Sequence, residues 1–360
     1  MPQTDPNALP PLFPCVMAGG SGERFWPLSR AATPKHLLKL FSDRTLLEEA
    51  VLRLEGLAPA NQTFVLTNAA QVDATRRALP MLPEGQIIAE PAKRDTAPAA
   101  ALATALAYRN DPAAVVAVLP ADHVVGEPET FRRNLRDAAR AASATGAIIT
   151  LAVTPAWACT AFGYLELAEE LPAAAEGTPL RSVRRFVEKP DDATAATYLA
   201  SGKYAWNAGM FLWRADTYLA EAERSQPELA AFIRDFPPGD PAPYLAGRFP
   251  SLPKISVDYA IMEKASRVIA ARAEFPWDDV GSWNAVRDHI PADAARNAVR
   301  GTAFALDAAD NIVFSTGRPV ALCGVENLIV VDAGDAVLVC HRDRDQDVKK
   351  LLARLPGALK

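Results

Sequence analysis

Short apolar runs alternate with helical patterns through the first half of the chain. Phe13–Met17 is a continuous apolar run of the kind a buried strand shows, and Thr63–Thr67, Gln86–Ala89, Ala114–Leu119 (AVVAVL) and Ala147–Val153 repeat it. Between them, Thr45–Leu54, Gln71–Leu79, Ala97–Arg109 and Glu129–Ala144 carry helical spacing. The last of these puts Phe131, Leu135, Ala138 and Ala142 on one face and stops at Gly146. Runs that are apolar at every position fit parallel strands covered on both faces. The alternation predicts an α/β fold on a doubly wound, mixed but mainly parallel sheet, with ligands at the carboxyl ends of its strands.

Beyond about Arg296 the texture changes. Short apolar runs in GTAFALDAADNIVFSTGRPVALCGVENLIVVDAGDAVLVCHRD are punctuated by Asp310-Asn311, Gly317-Arg318-Pro319, Glu326-Asn327 and Gly334-Asp335. The rungs are too short for a large sheet and predict a small all-β module, closed by a helix over Asp347–Leu355. The expected division is a flexible leader over 1–12, a main domain over 13–295 and the β-rich module over 296–360.

Composition narrows the function classes. The chain has 360 residues, 50% of them hydrophobic and 22% charged, which suits a large core and argues against bulk disorder. A net charge of −5 argues against a nucleic-acid partner, while leaving room for a local basic pocket. The four cysteines, Cys15, Cys159, Cys323 and Cys340, have neither metal-site nor CxxC spacing, which is reduced, cytoplasmic usage. The proline-rich start has no basic or apolar region of a signal peptide, and no apolar run approaches the roughly 18 residues of a membrane span.

The candidate chemistry begins at FPCVMAGGSGERFWPLSRAATPKHLLKL, Phe13 to Leu40. An apolar strand ends in Gly19, Gly20, Ser21 and Gly22, with Arg24 following at once and Lys35 after a proline. No Gly-Lys-Ser/Thr follows, so this is not a Walker A loop, and read as GxGxxG it fails at the third glycine. Bare backbone wraps phosphate oxygens, Arg24 can engage them in pairs, and Lys35 can add a point charge. Lys35 can equally be a solvated surface lysine. In VLPADHVV, Asp122 sits just past a buried strand, where it can hold Mg²⁺ near a triphosphate or simply cap a turn. WDDVGSW, Trp277 to Trp283, offers a second metal ligand or a helix cap, two readings the residues alone do not separate. In RRFVEKPD, Glu188 and Lys189 would face opposite sides of a regular strand, so one of them needs a buried partner. In WNAGMF, Asn207 can donate to and accept from hydroxyls, and Gly209 permits close approach.

Taken in order, MAGGSGERFWPLSR with PKHLLKL, EPAKRDTAPA, LPADH, FGYLE, FVEKP, WNAGMF, VDYAIMEKA and WDDVGSW resemble the mannose-1-phosphate guanylyltransferases, or GDP-mannose pyrophosphorylases, of the sugar nucleotidyltransferase superfamily. The motifs span roughly residues 13–290, and VENLIVVDAGDAVLVC resembles that family's short C-terminal left-handed parallel β-helix. The resemblance implies a Rossmann-like nucleotidyltransferase domain that uses Mg²⁺ and converts GTP and α-D-mannose 1-phosphate to GDP-mannose and pyrophosphate. It places Gly19, Gly20, Ser21 and Gly22 around the triphosphate, Arg24 at the departing pyrophosphate and Lys35 near the α-phosphate. Asp122 and Asp279 become the metal ligands, since the family writes W-x-D-x-G and Asp278 fills the x. Glu90, Pro91, Arg94 and Thr96 match the segment against the base, with Asp95 where the family commonly has Asn. Gly163, Glu188, Asn207 and Gly209 match sugar-binding positions, and Lys189 would hold the sugar phosphate.

Longer relatives carry an isomerase domain of cupin type. No His-rich metal pattern occurs here, among only four histidines, so isomerase activity is expected to be absent. Apolar rungs of the β-module need a cover, either the catalytic domain or a second subunit, so a homodimer through that module is one of two expectations. Other readings are another hexose or heptose 1-phosphate, another nucleotide, a non-catalytic sugar-nucleotide regulator, or a nicotinamide-dependent oxidoreductase. Arg24, Lys35, Asp122, Asp279 and Lys189 together argue against the regulator, and the misfit third glycine against the oxidoreductase.

Overall fold

The computed structural model describes residues 9–359. Most of the expected leader therefore lies outside the described residues, and Leu12 already belongs to the first strand. In chain order the strands are β1 (Leu12–Ala18), β2 (Phe64–Asn68), β3 (Ile87–Glu90), β4 (Val115–Pro120), β5 (Val124–Val125), β6 (Ile148–Val153), β7 (Tyr164–Leu171), β8 (Leu180–Val187), β9 (Tyr204–Arg214), β10 (Val268–Arg272) and β11 (Trp277–Asp278). The C-terminal strands are β12 (Ala298–Arg300), β13 (Ala303–Leu306), β14 (Ile312–Ser315), β15 (Val320–Cys323), β16 (Leu328–Asp332) and β17 (Val337–His341).

A nine-stranded sheet runs β3-β2-β1-β4-β9-β6-β10-β8-β7. From β3 to β4 every pairing is parallel, as the apolar runs predict. Beyond β4 antiparallel pairings dominate, so the sheet is mixed and not mainly parallel as expected. β9 enters antiparallel between β4 and β6, and β8 runs antiparallel to β10 and β7. The parallel β6–β10 pair is the exception in that half. The apolar alternation was legible only as far as Val153, ahead of the strands that reverse direction.

Local chemistry explains the helices. The helix Leu46–Leu52 starts at a capping box, in which Thr45 accepts from the Glu48 N–H at 3.1 Å and Glu48 accepts from the Thr45 N–H at 2.6 Å. The alanine-rich helix Thr96–Tyr108 is buried over almost its whole length within the core that also takes Phe13, Phe64 and Trp213. The amphipathic helix Pro128–Thr145 covers the opposite face of the sheet with Phe131, Leu135, Ala138 and Ala142, and ends at left-handed Gly146. No helix among the described residues is long and apolar enough to cross a membrane.

In the C-terminal module β12, β14 and β16 stack in parallel, as do β13 and β15, and β17 returns antiparallel on β16. Buried Asn297 and Asn311 tie successive turns: Asn311 Nδ2 donates to Asn297 Oδ1 at 2.9 Å, and Asn311 Oδ1 accepts from the Leu328 N–H. The inner face, Ile312, Phe314, Ile329 and Val331, packs with Phe25, Trp26, Leu38 and Trp283 of the preceding domain. The expected closing helix is shorter than its sequence pattern, a 3-10 turn over Arg342–Asp347 followed by a helix over Val348–Leu352.

Candidate active site

β1 delivers Gly19–Gly22 at the carboxyl edge of the parallel half-sheet, β4 delivers Asp122 and β3 delivers Glu90. A short antiparallel ribbon supplies what one sheet edge cannot. β11 pairs with β5, Asp278 opposite Val124 and Trp277 opposite Val125, so Asp279 arrives beside Asp122 from more than 150 positions away in sequence. A cavity of about 290 Å³ lies there, lined by Ser21, Gly22, Glu23, Arg24, Phe25, Lys35, Asp122, His123, Asp279, Gly281 and Lys349.

Lys35 is the keystone of this pocket. It is buried, its Nζ donates to Asp122 Oδ2 at 3.0 Å and to the Asp279 carbonyl at 2.7 Å, and it lies over the Phe25 ring. It is no solvated surface lysine. Gly22 makes room for it, because a Cβ on Gly22 would lie 2.2 Å from Lys35 Cβ and the glycine sits at φ 63°. Arg24 is exposed at the cavity wall and has no ion-pair partner among the described residues.

The two carboxylates are held in opposite electrostatic states. Burial alone would raise the Asp122 pKa, but the charge and hydrogen bond of Lys35, with the neighbouring His123, outweigh it and hold it at about 2. Asp279 is pushed up to about 6, by burial first, with Lys35 opposing and the Asp278 and Asp122 carboxylates adding repulsion. Asp278 is engaged elsewhere: its Oδ2 meets His289 Nε2 at 2.7 Å and its Oδ1 accepts from the Val280 N–H. Among the described residues no group of three or more His, Cys, Asp or Glu side chains gathers in the manner of a closed metal site. Two hard carboxylates open to a cavity are a donor set that could hold a divalent cation such as Mg²⁺, which keeps several waters.

A second cavity of about 180 Å³ adjoins the glycine loop, lined by Met17, Gly19, Gly20, Glu90, Lys93, Asp95, Thr96 and Ala99. Glu90 is buried without a hydrogen-bond or ion-pair partner among the described residues, and burial raises its pKa to about 7. Thr96 lines this cavity while its hydroxyl accepts from the Val257 N–H at 2.9 Å. Pro91 and Arg94 do not line it. The Arg94 guanidinium donates instead to the Pro250 carbonyl, turning toward the segment after the helix Ala242–Arg248.

The expected sugar positions gather around the end of β8 and the middle of β9. β8 stops at Val187, so Glu188 and Lys189 are not opposite faces of a strand. Lys189 has φ 47°, and its Nζ bonds Glu188 Oε1 at 2.6 Å. The Glu188 carboxylate crowds Gly163, where a Cβ would come within 2.5 Å of Oε2. Asn207 Oδ1 accepts from Thr150 Oγ1 and the Gly209 N–H, and its Nδ2 donates to Asp258 Oδ1 at 3.2 Å. Asp258 is pushed up to about 6 by burial and then by Glu188.

Three contributors escaped the sequence reading. Asp258 lies within VDYAIMEKA, where only contact with Asn207 distinguishes it. His123, readable as a turn residue, lines the cavity beside Asp122; its Nδ1 accepts from Trp277 Nε1 at 3.1 Å, and burial lowers its pKa to about 4, so it is neutral with Nε2 protonated. Lys349 reaches the same cavity from the C-terminal helix, with no local sequence signal to say so.

Comparison with known proteins follows the same outline. A family profile described as nucleotidyl transferase matches residues 13–296, and one described as MannoseP isomerase/GMP-like beta-helix domain matches residues 301–355. The chain is 38% identical over 354 residues to the xanthan biosynthesis protein XanB of Xanthomonas campestris pv. campestris, covering 96% of this chain and 74% of that protein. It is also 38% identical over 346 residues to a mannose-1-phosphate guanylyltransferase of Escherichia coli, covering 94% and 73%. A crystal structure named mannose-1-phosphate geranyltransferase, from Thermus thermophilus, superposes with a TM-score of 0.86 at 36% identity, covering 95% of this chain and 98% of that one.

Proposed function

We propose, from the premise that the chain belongs to the nucleotidyl transferase family, that it transfers GMP from GTP to α-D-mannose 1-phosphate, giving GDP-mannose and pyrophosphate. The observation that carries this reading is the Lys35-linked pair Asp122 and Asp279 at the mouth of the glycine loop. An oxygen of the sugar phosphate attacks the α-phosphorus of GTP in line, the new P–O bond forms, and the bond to the β-phosphate breaks to release pyrophosphate. The nucleophile is already an anion, so no protein nucleophile or general base is needed, and catalysis is positioning plus charge neutralisation. Gly19, Gly20, Ser21 and Gly22 wrap the triphosphate, Arg24 neutralises the departing pyrophosphate, and Lys35 orients both aspartate loops beside the α-phosphate. Asp122 and Asp279 would hold Mg²⁺, which when bound supplies charge to the phosphate oxygens.

Glu90 is the base-reading group in this account, with Thr96 beside it. Its ionised carboxylate accepts the N1–H and amino donors of guanine, a pattern adenine lacks. Because its pKa stands at about 7, the KM for GTP should rise as pH falls through that value and the carboxylate takes up a proton. The γ-phosphate of GTP titrates in both proteins, so the comparison is with Glu90→Gln. That variant should bind GTP more weakly and lose the part of the pH dependence due to the enzyme. Identical profiles in variant and wild type would remove Glu90 from base recognition.

Gly163, Glu188, Asn207 and Gly209 form the hexose site, and Lys189 meets the sugar phosphate. Lys189→Ala should raise the KM for mannose 1-phosphate roughly tenfold or more and leave that for GTP nearly unchanged. An equal rise in both would assign Lys189 a structural role. We also take the β-module over 296–360 as a left-handed parallel β-helix supporting a homodimer, and the working domain as running to 295 from Leu12, which opens β1. All four cysteines are free, which suits a reducing cytoplasm.

The test is pyrophosphate release with Mg²⁺, crossing GTP, ATP, UTP and dTTP with mannose, glucose and glucosamine 1-phosphates. Release confined to GTP with mannose 1-phosphate is expected. Release with another pair would keep the chemistry and overturn the substrates, and none from folded protein would overturn both.

A further inference from the structure

We propose that the C-terminal module completes the phosphate pocket with Lys349, a third cation for the two phosphates that leave as pyrophosphate. The inference rests on reading the glycine-loop cavity as a triphosphate site. The cavity wall already carries Arg24 and Lys35 from the main domain, and Lys349 joins them from the C-terminal helix, which packs against the Glu23–Phe25 turn. Its only ion-pair partner among the described residues is Glu23 of the glycine loop, at a long 3.7 Å, with both side chains largely exposed. An exposed pair at that distance contributes little to stability. It does hold an ammonium over the cavity until a multiply charged anion competes for it. The neighbouring Lys350 differs: its Nζ is 2.6 Å from Asp347 Oδ1, and it does not line the cavity.

The short helix that carries Lys349 is anchored by its neighbours on both sides. Val348 is 2% exposed and packs, with Leu352, into the cluster of Phe25, Trp26 and Trp283. On a helix this inward pair, four residues apart, leaves position 349 on a flank. Downstream, the Trp26 indole donates to the Leu359 carbonyl at 2.8 Å, and Arg30 donates to the same oxygen. Upstream, Asp345 accepts from the Ser282 hydroxyl and the Arg342 carbonyl accepts from Asn284 Nδ2 at 2.8 Å. The segment bearing Lys349 is therefore tied to the stretch that follows the glycine loop on one side and to the stretch that follows Asp279 on the other. A module otherwise built of short β rungs thus has a role at the reacting phosphates.

The test is binding of inorganic pyrophosphate and of GTP to the full-length protein by calorimetry, alongside steady-state kinetics, for wild type, Lys349→Ala, Lys349→Arg and Lys350→Ala. Lys349→Ala should weaken pyrophosphate and raise the KM for GTP by about tenfold, with the KM for mannose 1-phosphate unmoved. Lys349→Arg should restore most of the loss, and Lys350→Ala should behave as wild type. Unchanged pyrophosphate and GTP binding in Lys349→Ala would overturn the inference and leave the triphosphate reading intact. So would equal losses for both substrates with a lowered melting temperature, which mark a structural role. Wild-type protein that binds neither GTP nor pyrophosphate would overturn the triphosphate reading itself, and this inference with it.

Discussion

Asp279→Asn should lower kcat by at least about a hundredfold while leaving the melting temperature within a few degrees of wild type. The replacement keeps the side chain's shape and removes the charge that would neutralise Mg²⁺ beside Asp122. Fold and activity should separate because the Gly281 N–H that meets this carboxylate finds an acceptor in the amide oxygen as well. Lys35 Nζ bonds the Asp279 carbonyl, not its side chain, and the ribbon partner of Val124 is Asp278. Burial and two neighbouring carboxylates make ionised Asp279 costly in the free protein, so its amide should be tolerated or mildly stabilising. The matching change at Asp278 should act differently, by loosening its contact with His289. Near-wild-type turnover in Asp279→Asn would remove this residue from the metal pair.

Gly22→Ala should be the most damaging single methyl group in the glycine loop. Two effects coincide. Left-handed backbone at φ 63° costs an alanine on the order of 1 kcal/mol, and the new Cβ would lie 2.2 Å from Lys35 Cβ and 2.9 Å from its backbone nitrogen. Backbone, not a flexible side-chain tip, must then move, and the displaced residue is the one that bridges Asp122 and Asp279. A shift of even 1 Å at such a bridge is enough for a loss of about a hundredfold in kcat/KM. Gly20 makes the contrast, since a Cβ there meets nothing within 4 Å and should leave the melting temperature unchanged. Gly22→Ala protein with wild-type kinetics and stability would show that Lys35 adapts freely.

Why some of this was legible in the chain and some was not follows from sequence distance. The strand–glycine-loop–Arg24 series is local, so Phe13 to Lys35 carried both the parallel strand and the proposal of an anion site at its end. The continuous apolar runs gave β1, β2, β3, β4 and β6 to within a residue or two. The β5–β11 ribbon is two residues long on each side and joins segments far apart, too short to leave a periodic pattern. Only the resemblance singled out Asp279 over Asp278, and the geometry supplies a reason in the Asp278–His289 contact. Arg94 fits a nucleotide-facing segment in sequence but spends its guanidinium on the Pro250 carbonyl. Lys189 was read on a strand that ends before it, because left-handed backbone at a lysine has no signature. Lys349 was invisible for the same reason as Asp258: each becomes relevant only through a partner from a distant element.

The claim most directly exposed to experiment is that the sugar phosphate displaces pyrophosphate in a single step at this site. One diastereomer of GTP carrying sulfur at the α-phosphorus, turned over with mannose 1-phosphate, records that step in the configuration of the GDP-mannose α-thiophosphate. A single in-line displacement predicts inversion. Retention would mean two displacements through a nucleotidylated side chain, and would contradict a site built from Gly22, Lys35, Asp122 and Asp279 with no protein nucleophile.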